Sequence, residues 1–166
     1  MSHISPLSAE VRSLSSRTFA CVHHVGPFAG DVKLFNRLFS TVMAWARPHG
    51  LVKPTQTELI TIYHDDSRTT EPDKLRISVG LTVPPGTECT EDIRMREIPP
   101  GDYICAVFEI DPGQYEAAWD LVQDELMPQR SLQKGNGFTY ECYLNDPLLH
   151  PQGKHRIEIR ISVKPS

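Results

Sequence analysis

The sequence has no run of the roughly 18 apolar residues that a helical membrane span needs. It begins Met1-Ser2-His3-Ile4-Ser5-Pro6, without the charged and apolar stretches of a signal peptide, which predicts a cytoplasmic protein. It has no basic run, and Lys and Arg total 17 against 21 Asp and Glu, for a formal net charge of -4. The electrostatic footprint of a nucleic-acid binder is therefore missing. Cysteine is scarce: Cys21, Cys89, Cys105 and Cys142 are scattered without a C-x-x-C pair, three of them in apolar runs, and read as reduced, buried thiols. P-loop, G-x-G-x-x-G and Ser-His-Asp spacings are absent, so no cofactor is expected and a nucleophilic triad has no support. His23 and His24 are adjacent, and on a strand they point to opposite faces, so they do not form a metal pair.

What is present is the composition of a soluble globular chain, 39% hydrophobic and long enough at 166 residues to bury a core. Apolar residues Phe35, Leu38, Phe39, Val42 and Ala46 recur at helical spacing over Val32–Ala46, with Asp31 as N-cap and Pro48 and Gly50 beyond the end. A second helix is predicted from about Pro112 to Met127, with Tyr115, Ala118, Trp119, Val122 and Leu126 on one face. Asp111, Pro112 and Gln114 form its capping signal, and Pro128 its stop. Strand-like runs lie at Phe19–Val25, Glu58–Tyr63 and Leu75–Val83, and again at Tyr103–Ile110, Phe138–Tyr143 and Arg156–Val163.

The order strand, helix, strand, strand thus occurs twice, and residues repeat with it. Tyr63-His64-Asp65-Asp66 matches Tyr143-Leu144-Asn145-Asp146 at an offset of 80. The same offset carries Lys74, Arg76, Ile77, Val79, Leu81 and Val83 onto Lys154, Arg156, Ile157, Ile159, Ile161 and Val163. Val11-Arg12 matches Ile93-Arg94 at 82. The expected fold is α+β: a duplicated module with pseudo-twofold symmetry, one antiparallel sheet, two long helices and a central ligand pocket where the halves meet. Residues 1–10 are expected to be a flexible N-terminus and 11–166 a single domain, with halves at about 11–84 and 93–166.

One residue breaks the repeat. Glu141 lies mid-strand in Phe138-Thr139-Tyr140-Glu141-Cys142-Tyr143, where the first half has Thr61. An ionised side chain is seldom buried without a partner. Glu141 is either an exposed or cross-strand-paired residue, with Arg156 or Arg160 as its partner, or a buried anion for a cationic ligand or a general base. Tyr63 and Tyr143 are symmetry mates that could sandwich a planar ligand. Trp119 fits its helix's apolar stripe, and Trp45 lies beside the stripe of the first helix. His64-Asp65-Asp66-Ser67 reads as a turn.

Cys21-Val22-His23-His24-Val25-Gly26-Pro27-Phe28, Ile62-Tyr63-His64-Asp65-Asp66 with Pro72-Asp73-Lys74-Leu75-Arg76, Arg96-Glu97-Ile98-Pro99-Pro100-Gly101, and Tyr140-Glu141-Cys142-Tyr143-Leu144-Asn145-Asp146-Pro147 together resemble the GyrI-like small-molecule-binding domain. This is also the effector-binding part of Rob-type AraC-family regulators. The resemblance covers about residues 11–164. It implies two strand-helix-strand-strand modules and a pocket lined by aromatics and one glutamate, which maps onto Glu141. It further implies a stand-alone, monomeric protein that takes small lipophilic, often cationic or genotoxic, molecules, with Glu141, Tyr63, Tyr143, Arg160 and Trp119 as candidate ligand-binding residues. The alternatives are a hydrolase of cyclopropane-bearing toxins with Glu141 as general base, and a protein inhibitor of DNA gyrase. The last strand departs from the family's D-I-Y-I-P with Glu158-Ile159-Arg160-Ile161-Ser162. An Arg160 on Glu141's face would neutralise the carboxylate.

Overall fold

The computed structural model describes residues 4–90 and 92–166. Its strands are β1 (Ser8–Leu14), β2 (Arg17–Val25), β3 (Leu59–Tyr63), β4 (Arg76–Val83), β5 (Arg94–Ile98), β6 (Gly101–Ile110), β7 (Leu132–Tyr143) and β8 (His155–Pro165), and its helices are α1 (Val32–Ala46), α2 (Tyr115–Leu121) and α3 (Met127–Gln129). The class is α+β with antiparallel pairing throughout, as expected. No helix among the described residues is long and apolar enough to cross a membrane. The chain divides into a contiguous unit, Ser16–Pro99, and a split unit that joins the segment ending at Ser15 to Pro100–Ser166.

In the contiguous unit the strand order is β3-β4-β2-β5. Asp31 caps α1 by accepting a 3.1 Å bond from the Leu34 amide. The buried row of α1 is Leu34, Leu38, Val42 and Ala46, an i, i+4 ridge packed on Ala20, Val22, Ile77, Val79 and Leu81. Phe35 and Phe39, expected on the same buried face, are only partly buried beside this row. The narrower side chains let the helix approach the sheet, and the rings fill its margins.

In the split unit the order is β1-β6-β8-β7. The Asp111 amide donates to Gln114 Oε1 at 2.8 Å, completing the capping box ahead of α2. The helix does not stop at Pro128. One π turn, Val122–Leu126, follows α2 and leads into α3, which contains Pro128 near its start. Proline lacks an amide hydrogen and crowds the carbonyl four residues back, and the wider turn ahead of it relieves that conflict. Ala118, Val122, Leu126 and Met127 pack on Ile104, Ala106, Phe108, Ile157, Ile159 and Ile161.

The duplication is written in the strand registers. Every β3–β4 pair, from Leu59↔Leu81 to Tyr63↔Ile77, becomes a β7–β8 pair on adding 80 to both residues. Phe19↔Thr82 and Cys21↔Gly80 likewise correspond to Tyr103↔Ser162 and Cys105↔Arg160. The first strands are exchanged, however: β1 pairs with β6 of the second half, and β5 pairs with β2 of the first. The units are therefore not the contiguous halves 11–84 and 93–166. The pairs Cys105↔Glu10 and Cys21↔Arg94 set the true offset for these strands at 84 rather than 82. A slip of two residues preserves strand parity, so alternation could not reveal it.

Cys21, Cys105 and Cys142 are buried, but Cys89 is exposed, unlike the reading of all four as buried. On the contiguous unit's sheet face opposite α1, burial and then the charge of Arg96 lower the His64 pKa to about 4. The unfolded state, with an ordinary pKa near 6.5, therefore binds more protons between those values. Stability from this residue is complete above about pH 6.5 and is lost as pH falls toward 4. Because His64 is only half-buried and water screens it, the expected loss is about 2 kcal/mol, less than the full linkage value. Denaturant melts at pH 7 and pH 4.5 should show a smaller pH dependence in His64→Gln than in wild type, and equal slopes would contradict the assignment.

Candidate functional site

Glu141 is 2% exposed, which excludes the reading of it as a solvated strand residue. Alternation along β7 and the register Glu141↔Ile159 place it on the face that α2 covers, since Ile157, Ile159 and Ile161 belong to the core beneath that helix. Trp119, on α2, donates its indole Nε1–H to Glu141 Oε2 at 2.8 Å. Tyr143, two residues along β7 on the same face, donates its hydroxyl to Oε1 at 2.7 Å. Each carboxylate oxygen thus accepts from a different element, and both donors are neutral. They fix the carboxylate's plane and carry no charge of their own.

Two residues that the sequence did not single out for chemistry join this cluster. Tyr115 lies one helical turn before Trp119, and its hydroxyl is 2.7 Å from His155 Nδ1 at the start of β8. Burial first, and the charge of Glu141 second, push the Tyr115 phenol well above its ordinary range. Burial also lowers the His155 pKa. Tyr115 therefore stays a neutral phenol and His155 favours the neutral imidazole, a pair suited to hold hydrogen bonds rather than charge. The only sequence signal was the i, i+4 spacing of Tyr115 and Trp119.

Arg160 does not share the face of Glu141. It is paired in register with Tyr140 and Cys105, on the opposite side of the sheet. There its guanidinium donates to Glu158 Oε2 at 3.1 Å and lies 5.7 Å from the Tyr140 ring centroid. Arg12 donates to the other oxygen of Glu158. Arg156, the second suggested partner, binds Glu109 at 3.3 Å. Neither arginine is thus the partner of Glu141 that the sequence suggested. Tyr63 belongs to the contiguous unit, at the end of β3, with its ring 5.5 Å from that of Phe28. Within the split unit, Glu141, Tyr143 and Trp119 form one cluster, and Arg160 lies on the other face of the sheet.

Comparison with known proteins places this geometry in context. The family description "GyrI-like small molecule binding domain" matches residues 9–164. The chain is 32% identical over 149 residues to DNA gyrase inhibitor 2 of Dickeya dadantii (strain 3937), covering 88% of each protein. Its fold is similar to the EcmrR C-terminal domain, with a TM-score of 0.75 at 16% identity over 96% of this chain and 98% of that one. It is also similar to SAV2435, solved bound to tetraphenylphosphonium, with a TM-score of 0.62 at 12% identity over 95% and 94% of the two chains.

Proposed function

We propose, from the premise that the chain belongs to the GyrI-like small molecule binding domain family, that it binds lipophilic organic cations with Glu141 as the polar anchor. The observation that carries this reading is a buried carboxylate held on both oxygens by neutral aromatic donors, Trp119 and Tyr143. A carboxylate in that setting attracts a cation strongly because little water screens it. The aromatic rings beside it supply apolar area and a favourable face for positive charge. The fold neighbour that holds tetraphenylphosphonium supports the same ligand class.

Tetraphenylphosphonium and tetraphenylborate have nearly the same shape and opposite charge, so they isolate the contribution of charge. The phosphonium is expected to raise the melting temperature of wild type while the borate does not. Glu141→Gln, which keeps shape and can still accept from Trp119 while its amide donates to a Tyr143 hydroxyl turned to accept, should bind the phosphonium about 10- to 100-fold more weakly by calorimetry. Equal affinity in the two proteins would remove Glu141 from the site. The gyrase-inhibitor relatives favour a second reading, inhibition of a protein partner. A supercoiling assay that responds to the protein equally with and without Glu141→Gln would support that reading for a surface separate from the cation site.

A further inference from the structure

The two units share a polar framework on the sheet face away from their helices, and they fill it differently. In the split unit, Arg12 lies within hydrogen-bonding reach of Cys105, and Glu158 supplies the carboxylate that Arg12 and Arg160 both bind. In the contiguous unit the equivalent arginine and cysteine are Arg96 and Cys21, again within hydrogen-bonding reach of each other. The position of Glu158, however, is Ser78. Ser78 is fully buried, and its hydroxyl is 2.7 Å from His64 Nε2 and 3.4 Å from His23 Nδ1. The positions equivalent to these two histidines in the split unit are Leu144 and Val107, which are apolar.

Where one unit has an internal carboxylate bound by two arginines, the other has a serine bonded by two imidazoles, with the charge of Arg96 acting on both rings. Among the described residues neither Arg96 nor Arg94 has a carboxylate partner, and Asp65 is engaged by Arg76 at 2.8 Å. The rings of His23 and His64 are 5.8 Å apart, with Ser78 bonded to both. From this we infer that the contiguous unit binds a small oxyanion, a carboxylate or phosphate group, with Arg96 as its main cation and His23, His64 and Ser78 as hydrogen-bonding partners. The anion takes the part that Glu158 plays toward Arg12 in the split unit, whose second arginine, Arg160, corresponds to Gly80 here. This site is independent of Glu141.

The site's surroundings fix what binding must do to the histidines. Burial first, and then the charges of Arg96, Arg94, Arg76 and His24, oppose protonation of His23; burial and then Arg96, His23 and Arg76 oppose that of His64, which Asp65 favours. A bound anion reverses the sign of the local field, so it should draw a proton onto His64 as it binds.

The test is a titration of histidine-ring-labelled protein with sodium phosphate and, separately, sodium succinate, at constant ionic strength made up with chloride and followed by NMR. Saturable shifts of the His23 and His64 resonances are expected, with the His64 titration midpoint rising from about 4 by roughly one pH unit or more. Arg96→Gln, a change at a half-buried position of the edge strand β5, should weaken binding about tenfold or more. Ser78→Glu, which supplies the carboxylate internally, should abolish binding if it folds. Response to one anion and not the other would identify the class. Shifts that grow linearly, match those of chloride, or persist unchanged in Arg96→Gln mean an adventitious ion only, and the inference fails.

Discussion

Gly80→Ala is expected to destabilise the protein by about 3 kcal/mol, a fall in melting temperature on the order of 10 °C for a chain of this size. A Cβ on Gly80 would stand 1.9 Å from the carbonyl oxygen of Ala20 and 2.8 Å from the Cα of Cys21. Both are backbone atoms, so no side chain can rotate away, and β2 and β4 must separate. Ile77, Val79 and Leu81 carry the ridge of α1 from the same strand, so the loss spreads into the core. Gly113→Ala is the control: nothing lies within 4 Å of its Cβ and the change should be nearly neutral. Urea or thermal melts of the two variants decide the matter, and similar midpoints would show that the strands do not approach as described.

The second large effect is expected at Glu158, which is 6% exposed between the guanidinium groups of Arg12 and the equally buried Arg160. Glu158→Gln leaves two cations facing a neutral amide in a poorly solvated place. A cost of about 3 kcal/mol follows, since an uncompensated buried charge is far more expensive than a missing pair. Glu158→Met combined with Arg160→Met removes the interior charges together and should recover much of that loss. Denaturant melts of Glu158→Met, Arg160→Met and the double variant provide the cycle. A double variant as unstable as the sum of its parts would mean that the contact is not an interaction between these side chains. Because the group is buried, added salt should change the result little.

Alternation in β8 was fully readable: Ile157, Ile159, Ile161 and Val163 on one face, Glu158, Arg160 and Ser162 on the other. The usual inference from such a strand is a wet polar face, yet Glu158, Arg160 and Ser162 are all buried. Period two identifies which residues share a side of one strand, and it carries no information on what covers that side. For the same reason the relation of Arg160 to Glu141, on neighbouring strands, depended on register and could not be read from either strand alone. The helix starts were legible because Asp31 and Asp111 act on their own neighbours. The singular character of Glu141 was legible because the repeat supplied Thr61 as its comparison. Its donors were less so, since Trp119 comes from a helix 22 residues earlier and its spacing marks core and site alike. The exchange of β1 and β5 had no local signature at all.

That exchange bears on the order in which the nascent protein can become structured. Every strand of the contiguous unit has left the ribosome once residue 99 has, so its sheet and α1 can close during synthesis. β1 is translated before any of them, and its partner β6 begins only at Gly101, with β8 following at His155. At roughly 5–20 residues per second, the oldest strand waits several seconds with its edge unsatisfied. Its sequence, Ser8-Ala9-Glu10-Val11-Arg12-Ser13-Leu14, alternates in charge and polarity rather than forming an apolar run. The segment that must wait longest is thus one of the least prone to pair with a neighbouring polypeptide on the same polysome.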